Sequence, residues 1–208
     1  MVAALAYRSN VLRILESVLG PRAPVERALD FGSGDGWFAT RFRNGLAREV
    51  VAVDVIKRPS SLVEPILYDG RRLPFEDRSF DLSYCVDCLH HCPDPLANLE
   101  DLLRCTRRWF LIKDHTYSTL GGFLMLSIMD ELGNRRFGIP SRYRYQRDWN
   151  WFPSIERAGF ALEQLVYPAA CHSSLPWRPT NRLQFVALFS RGAAEGSVPS
   201  PSPTDPRP

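Results

Sequence analysis

The segment Asp30-Phe31-Gly32-Ser33-Gly34-Asp35-Gly36 joins a short apolar run, Arg27 to Phe31, to a helical one, Trp37 to Leu46. A strand-to-helix turn takes glycine where φ is positive and where a ligand must come close to the backbone. Asp30, two places before the first glycine, can brace such a loop and face a cationic ligand group. Asp54 closes the next apolar run twenty positions after Gly34, the offset expected of a carboxylate that accepts from a ribose diol. Both carboxylates would also suit a nicotinamide dinucleotide, so the glycine spacing decides. The dinucleotide fingerprint is G-x-G-x-x-G, its third glycine letting helix and strand pack beside a pyrophosphate. Here the spacing is G-x-G-x-G with Trp37 directly after it, which favours a ligand without phosphate.

Two histidine-bearing runs are candidates for proton handling, Asp87 to Cys92 and Lys113-Asp114-His115. His115 is the first choice and His91 its rival, since a neutral imidazole titrates in the useful range. Asp114 would support His115 only if the backbone left the extended form, because neighbours on a strand point apart. Cys85, Cys88, His90, His91 and Cys92 suggest zinc at first sight, but no second ligand pair follows at a distance. They read as buried thiols, and no metal is expected. Arg135, Arg136, Arg142, Arg144 and Arg147, interleaved with Phe137, Tyr143 and Tyr145, form the one locally basic, aromatic stretch. It reads as a lid that would meet an anionic acceptor through Arg142, Arg144 and Tyr145.

The elements needed to hold these groups follow from periodicity. MVAALAYRSNVLRILESVLG is an amphipathic helix over about residues 1–20, with no basic leader before its apolar part. Strands are expected at 27–31, 49–55, 66–68, 80–85 and 109–113, with helices at 37–46 and from Pro95 to about Arg107. An insertion over 116–150, with a helix at 118–133 and a loop or lid around 135–147, interrupts the alternation before a short helix ending near Gly159. The runs 160–167 and 183–190 have no helix between them and should pair as an antiparallel hairpin at the sheet edge. Residues 193–208 are Pro, Ser and Gly with almost no apolar side chain, so a disordered tail is expected. The whole is a single α/β domain over 1–192.

DFGSGDG, VVAVDV, LYDG, LPFEDRSFDLSYCVDCLHHCPDP and FLIKDH stand in an order, from about Ala28 to His115, that resembles the class I S-adenosylmethionine-dependent methyltransferases of the UbiE/ArsM-like group. The resemblance implies a Rossmann-like, doubly wound sheet of order 3-2-1-4-5-7-6 with the last strand antiparallel. It implies that Asp30, Gly32 and Gly34 hold the methionyl part of S-adenosylmethionine, and that Asp54 takes the ribose hydroxyls. Asp69 would accept from the adenine amino group and Gly70 would offer its N–H to the ring. In open α/β sheets a ligand sits at the carboxyl ends of the strands where the order reverses, which puts Asp87 beside the glycine loop as a further cofactor-binding residue. MDELGNRRFGIPSRYRYQRDW is similar to a stretch in a bacterial subgroup of such enzymes and names no acceptor.

The 208 residues, 45% hydrophobic, suffice for one core. A net charge of +3 is too mild for a nucleic-acid binder. Five cysteines, an odd number with three crowded together, fit a reducing cytoplasm better than a secreted framework. No apolar run reaches bilayer length, which leaves room for peripheral membrane contact only. The expected activity is methyl transfer to a small molecule, anionic or lipid-like. A catalytically silent partner subunit and a nicotinamide-dependent oxidoreductase stay open beside it. The latter lacks the usual Tyr-x-x-x-Lys pair.

Overall fold

Val50, Val51, Ala52 and Val53 leave no polar face, so the strand they form must be covered on both sides. The computed structural model, which describes residues 2–134, 141–175 and 177–192, covers it by alternating strands with helices. The elements are α1 (Val2–Leu19), β1 (Val25–Phe31), α2 (Trp37–Arg43), β2 (Ala47–Asp54), β3 (Ile66–Leu67), β4 (Phe80–Val86), α3 (Pro95–Cys105), β5 (Thr106–Tyr117), α4 (Leu120–Asn134), β6 (Gln146–Arg147), α5 (Phe152–Arg157), β7 (Phe160–Val166) and β8 (Gln184–Arg191).

The sheet runs β3-β2-β1-β4-β5-β8-β7, with β6 paired beside the end of β5. Strands β1 to β5 are parallel, and β8 is antiparallel to both β5 and β7. Without the two-residue β6, which periodicity cannot show, this is the expected 3-2-1-4-5-7-6 order. On one face Val11, Leu15 and Val18 of α1 and Phe42 of α2 meet Tyr84 of β4, whose ring stacks on Phe42 at 4.0 Å. On the other, Leu99, Leu102 and Leu103 of α3 and Ile155 of α5 cover Phe110 and Phe189. Among the described residues no helix is long and apolar enough to cross a membrane.

Several element ends differ from the periodicity. Helix α3 starts as read, with the Asp94 side chain accepting from the Ala97 N–H at 3.1 Å and Pro95 in the first turn. It stops at Cys105 and not Arg107, because Thr106 is already extended and its hydroxyl bonds the Leu102 carbonyl and the Ser83 hydroxyl, both at 2.7 Å. Strand β5 does not end at Lys113. It pairs with β8 as far as His115 opposite Gln184, and β6 then takes Thr116 and Tyr117. His115 therefore sits on a strand rather than on a loop beyond one. The expected lid is also corrected: Gln146 and Arg147 are strand, and Tyr145 is buried in a small cluster with Leu126 of α4 and Leu183. Residues 135–140, with Arg135, Arg136 and Phe137, lie outside the described residues, as does the tail expected at 193–208.

Candidate functional site

The sheet order reverses between β1 and β4, so their carboxyl ends flank a crevice of the kind that takes ligands in open α/β sheets. The turn after β1 is shaped by its backbone. Gly32, Gly34 and Gly36 have φ of +69°, +60° and +75°, values that other residues rarely adopt. The N–H groups of Gly32 and Ser33 donate to the Val53 carbonyl at 2.9 and 3.1 Å, and that of Gly34 donates to Asp54 Oδ2 at 2.8 Å. A Cβ on Gly32 would stand 1.9 Å from Cys88 Sγ, so the loop is closed against the segment after β4.

Asp54, at the end of β2, accepts from the Val55 and Ile56 N–H groups through Oδ1 at 2.7 and 3.3 Å. A carboxylate offers about four lone-pair sites, so these contacts and Gly34 leave capacity for a ribose hydroxyl. Asp30 is buried on β1 beside the Tyr84 hydroxyl. Burial pushes its carboxyl up to about 7, the Tyr84 hydroxyl pulls the other way, and the charge of Asp54 adds to the rise. Asp69 is exposed, and its Oδ1 accepts from the Arg71 N–H at 2.9 Å, which holds its carboxyl low. Gly70, at φ +78°, gives its carbonyl to Asn98 Nδ2 of α3 at 3.0 Å.

Asp87 follows β4 at φ +50° and carries the second centre. Its Oδ2 accepts from the Tyr7 hydroxyl of α1 at 2.7 Å, and its Oδ1 pairs with Lys113 Nζ. Lys113 is fully buried, donating also to Gln184 Oε1 of β8 at 2.5 Å and to the Tyr7 hydroxyl. Burial alone would raise Asp87, but Lys113 and then His115 hold it below the usual carboxylate range. Next along α1, Arg8 pairs with Asp35 of the glycine loop at 2.7 Å. The first helix thus lies against both the glycine loop and the end of β4.

The third centre gathers histidines. His90 and His91 lie on a short 3-10 turn, Leu89–His91. His90 Nδ1 is 2.6 Å from Asp114 Oδ1, and its Nε2 is 3.8 Å from Asp130 Oδ1 of α4. His91 Nε2 is 3.7 Å from that same oxygen, while the Tyr145 hydroxyl donates to Asp130 Oδ2 at 3.0 Å. Burial would lower His90, but the charge of Asp114 raises it to about 10. Burial and then the charge on His90 bring His91 down to about 4. Burial and then Lys113 lower His115.

Of the residues singled out in the sequence, Asp30, Gly32, Gly34 and Asp54 converge on one loop, with Asp69 and Gly70 after the neighbouring β3. Asp87 and His115 meet, His115 Nδ1 being 3.7 Å from Asp87 Oδ1 and 3.3 Å from Asp114 Oδ1. His91 instead faces Asp130. Arg142 and Arg144 are exposed, whereas Tyr145 is turned inward by its bond to Asp130 and is not a lid side chain. Sequence reasoning missed Tyr7, Arg8 and Gln184, for which no local signal exists. It named His90 only within the cysteine and histidine cluster and missed its neighbour Asp130, whose signal is an acid inside the apolar run LGGFLMLSIMDELGN. A hollow of about 270 Å³ lined by Tyr117, Ser118, Thr119, Leu120, Phe123 and Arg147 opens where β5 meets α4. A larger one of about 540 Å³, over Arg72 to Asp77 and Arg104, contains no residue of these centres.

Residues 29–109 match the methyltransferase domain family. A search of curated protein sequences found no match. Among solved structures, the fold is similar to a candidate methyltransferase from Bacillus halodurans, with TM-score 0.63 and 18% identity over 86% of this chain and 97% of that one. It is similar also to an S-adenosylmethionine-dependent methyltransferase from Mesorhizobium loti, with TM-score 0.59 and 17% identity over 82% and 93% of the two chains. The cyclase SpnF gives TM-score 0.61 and 14% identity over 88% and 80%. At such identities the likeness is one of fold, and it spans more than one reaction.

Proposed function

We propose, from a chain whose residues 29–109 carry a methyltransferase domain within the fold of S-adenosylmethionine-dependent class I methyltransferases, that it binds S-adenosylmethionine across the ends of β1, β2 and β4 and passes the methyl group to a small amphiphilic acceptor beside α4. The observation that carries this is the bond from the Gly34 N–H to Asp54 Oδ2 at 2.8 Å. It ties the left-handed glycine loop to a carboxylate whose remaining lone-pair capacity suits a ribose hydroxyl. Asp30, buried one strand away, faces the cationic amino-acid end, and Asp69 with Gly70 takes the adenine edge. S-adenosylmethionine supplies an electrophilic methyl on a sulfonium. The chain's own task is to hold the acceptor in line with it and keep water out.

The acceptor side is read from α4. Leu120, Leu124, Met125, Ile128 and Leu132 are exposed there, and Arg147 lines the hollow at its start. Such a surface suits an apolar body, with Arg142 and Arg144 meeting an anionic group. Where the acceptor is a hydroxyl, His115 takes its proton.

Calorimetry on the purified chain tests the class. S-adenosylmethionine and its demethylated product should bind and NAD should not. Asp54→Ala should weaken that binding by about 1.5–3 kcal/mol, since charge-assisted bonds to the ribose are lost. Asp54→Asn, which keeps an acceptor at one of the two oxygen positions, reports the loss of the carboxylate charge without loss of the whole side chain. NAD binding, or wild-type affinity in both variants, would reject the reading. Cofactor binding without turnover of any acceptor would favour a silent partner subunit.

A further inference from the structure

The turn after β4 and helix α4 meet through three side chains that no step of methyl transfer uses. His90 Nε2 lies 3.8 Å and His91 Nε2 3.7 Å from one oxygen, Asp130 Oδ1, and the donor atoms of these residues all lie within 4.8 Å of one another. Separations near 3.7 Å are long for hydrogen bonds. They fit ligands sharing a centre: bonds of about 2.1 Å place tetrahedral ligands about 3.4 Å apart, so a contraction of a few tenths of an ångström brings each histidine into ligand spacing with Asp130, and the two imidazoles, within 4.8 Å of each other, close onto the same ion.

The surroundings are those of metal ligands too. A metal-bound histidine characteristically gives its other ring nitrogen to a carboxylate, and a metal-bound carboxylate is itself hydrogen-bonded. His90 Nδ1 has Asp114 Oδ1 at 2.6 Å, and Asp130 Oδ2 accepts the Tyr145 hydroxyl at 3.0 Å. Both partners are buried. A second grouping, His90 with Asp114 and His115, is excluded as the ligand set because Asp114 is already engaged at hydrogen-bond distance by His90. The two carboxylates, Asp130 and Asp114, offset the two charges of a divalent ion.

We propose that His90, His91 and Asp130 bind a first-row divalent transition metal such as zinc, with Asp114 and Tyr145 orienting the ligands, and that the ion fastens α4 to the turn after β4. Two imidazoles with one carboxylate select this class over magnesium or calcium. The assignment gives His91 to the metal and not to proton transfer, and it is independent of which acceptor the chain methylates.

The test uses the full chain, stripped with a chelator and titrated with Co²⁺ while visible absorption is followed. One equivalent should bind with the spectrum of nitrogen and oxygen ligands, and Zn²⁺ should displace it. His91→Gln, at a partly exposed position, and Asp130→Asn should each abolish stoichiometric binding. Tyr145→Phe, the mildest change, should weaken it about 10–100-fold. Cys88→Ser with Cys92→Ser should leave it intact. Bound Zn²⁺ should slow amide exchange in α4 in the wild type and not in His91→Gln. Absence of stoichiometric binding, its survival in the His91→Gln, Asp130→Asn double variant, or an intense thiolate-to-cobalt band lost with the two cysteines would overturn the proposal.

Discussion

Asp30 shows how one buried side chain sets a measurable property of the site. Its carboxyl stands at about 7 because burial penalises the charge, with Asp54 and Asp35 adding to the rise and the Tyr84 hydroxyl opposing it. The folded chain thus holds a proton there that the unfolded chain releases near pH 4. As pH rises from about 4 to 7 the unfolded state binds fewer protons than the folded one, so the Asp30 contribution to stability falls through that window. A cationic ammonium placed beside Asp30 reverses the balance by favouring the carboxylate. Binding of S-adenosylmethionine near pH 6.5 should therefore release part of a proton, read as a dependence of the calorimetric enthalpy on the buffer's ionisation enthalpy. The release should disappear in Asp30→Asn and fade by pH 8.5, where the carboxyl is already ionised. Equal proton release in wild type and variant would move the ammonium away from Asp30.

At the scale of elements, α1 is held to the sheet by charge as well as by its apolar face. The Tyr7 hydroxyl bonds both Asp87 and the fully buried Lys113, and Gln184 of β8 completes the set. Breaking a buried pair leaves the other charge without compensation, at a cost of about 3–5 kcal/mol, while removing both members is often nearly neutral. Lys113→Met should lower the free energy of urea unfolding by that amount, and adding Asp87→Asn should restore most of it. Additive losses in the double variant would mean that the two groups do not act as a pair. The pair also joins β4, β5 and α1, and Arg8 on α1 reaches Asp35 of the glycine loop, so the first helix is tied to both the loop and the end of β4.

Across the whole molecule the two halves of the chain take different tasks. The carboxyl ends of β1 to β4, within the segment that matches the methyltransferase domain, carry the proposed cofactor contacts, while the end of β5, α4 and the residues before β6 face the proposed acceptor. Sites that share no partner contribute independently, within about 0.5 kcal/mol. Arg142→Ala with Arg144→Ala should therefore impair turnover while affinity for S-adenosylmethionine stays within about twofold. His115→Asn should lower kcat for a hydroxyl acceptor by roughly 10²–10⁴, a far larger effect than any change in cofactor affinity passed on through Asp87, 3.7 Å from its ring. Loss of cofactor affinity in a folded variant would place that residue in the wrong half.

The glycine loop, the carboxylates at the ends of β1 and β2, and the parallel alternation were legible because each rests on a local demand: positive φ at a tight turn, a fixed offset between consecutive strands, apolar residues at every place of a strand covered twice. The length of β5 beyond Lys113 was not legible, since Asp114 and His115 look polar and only pairing with Phe185 and Gln184 of β8 makes them strand. Tyr145 read as a surface aromatic among arginines until Leu126, Leu183 and Asp130 enclosed it. Tyr7 meets Asp87 across 80 positions and Lys113 across 106, and His90 meets Asp130 only because α4 folds back over the ends of β4 and β5. Backbone demands are written in neighbouring letters, whereas burial of a charge depends on partners that the chain brings close only by closing long loops, and no pattern within one segment carries that information.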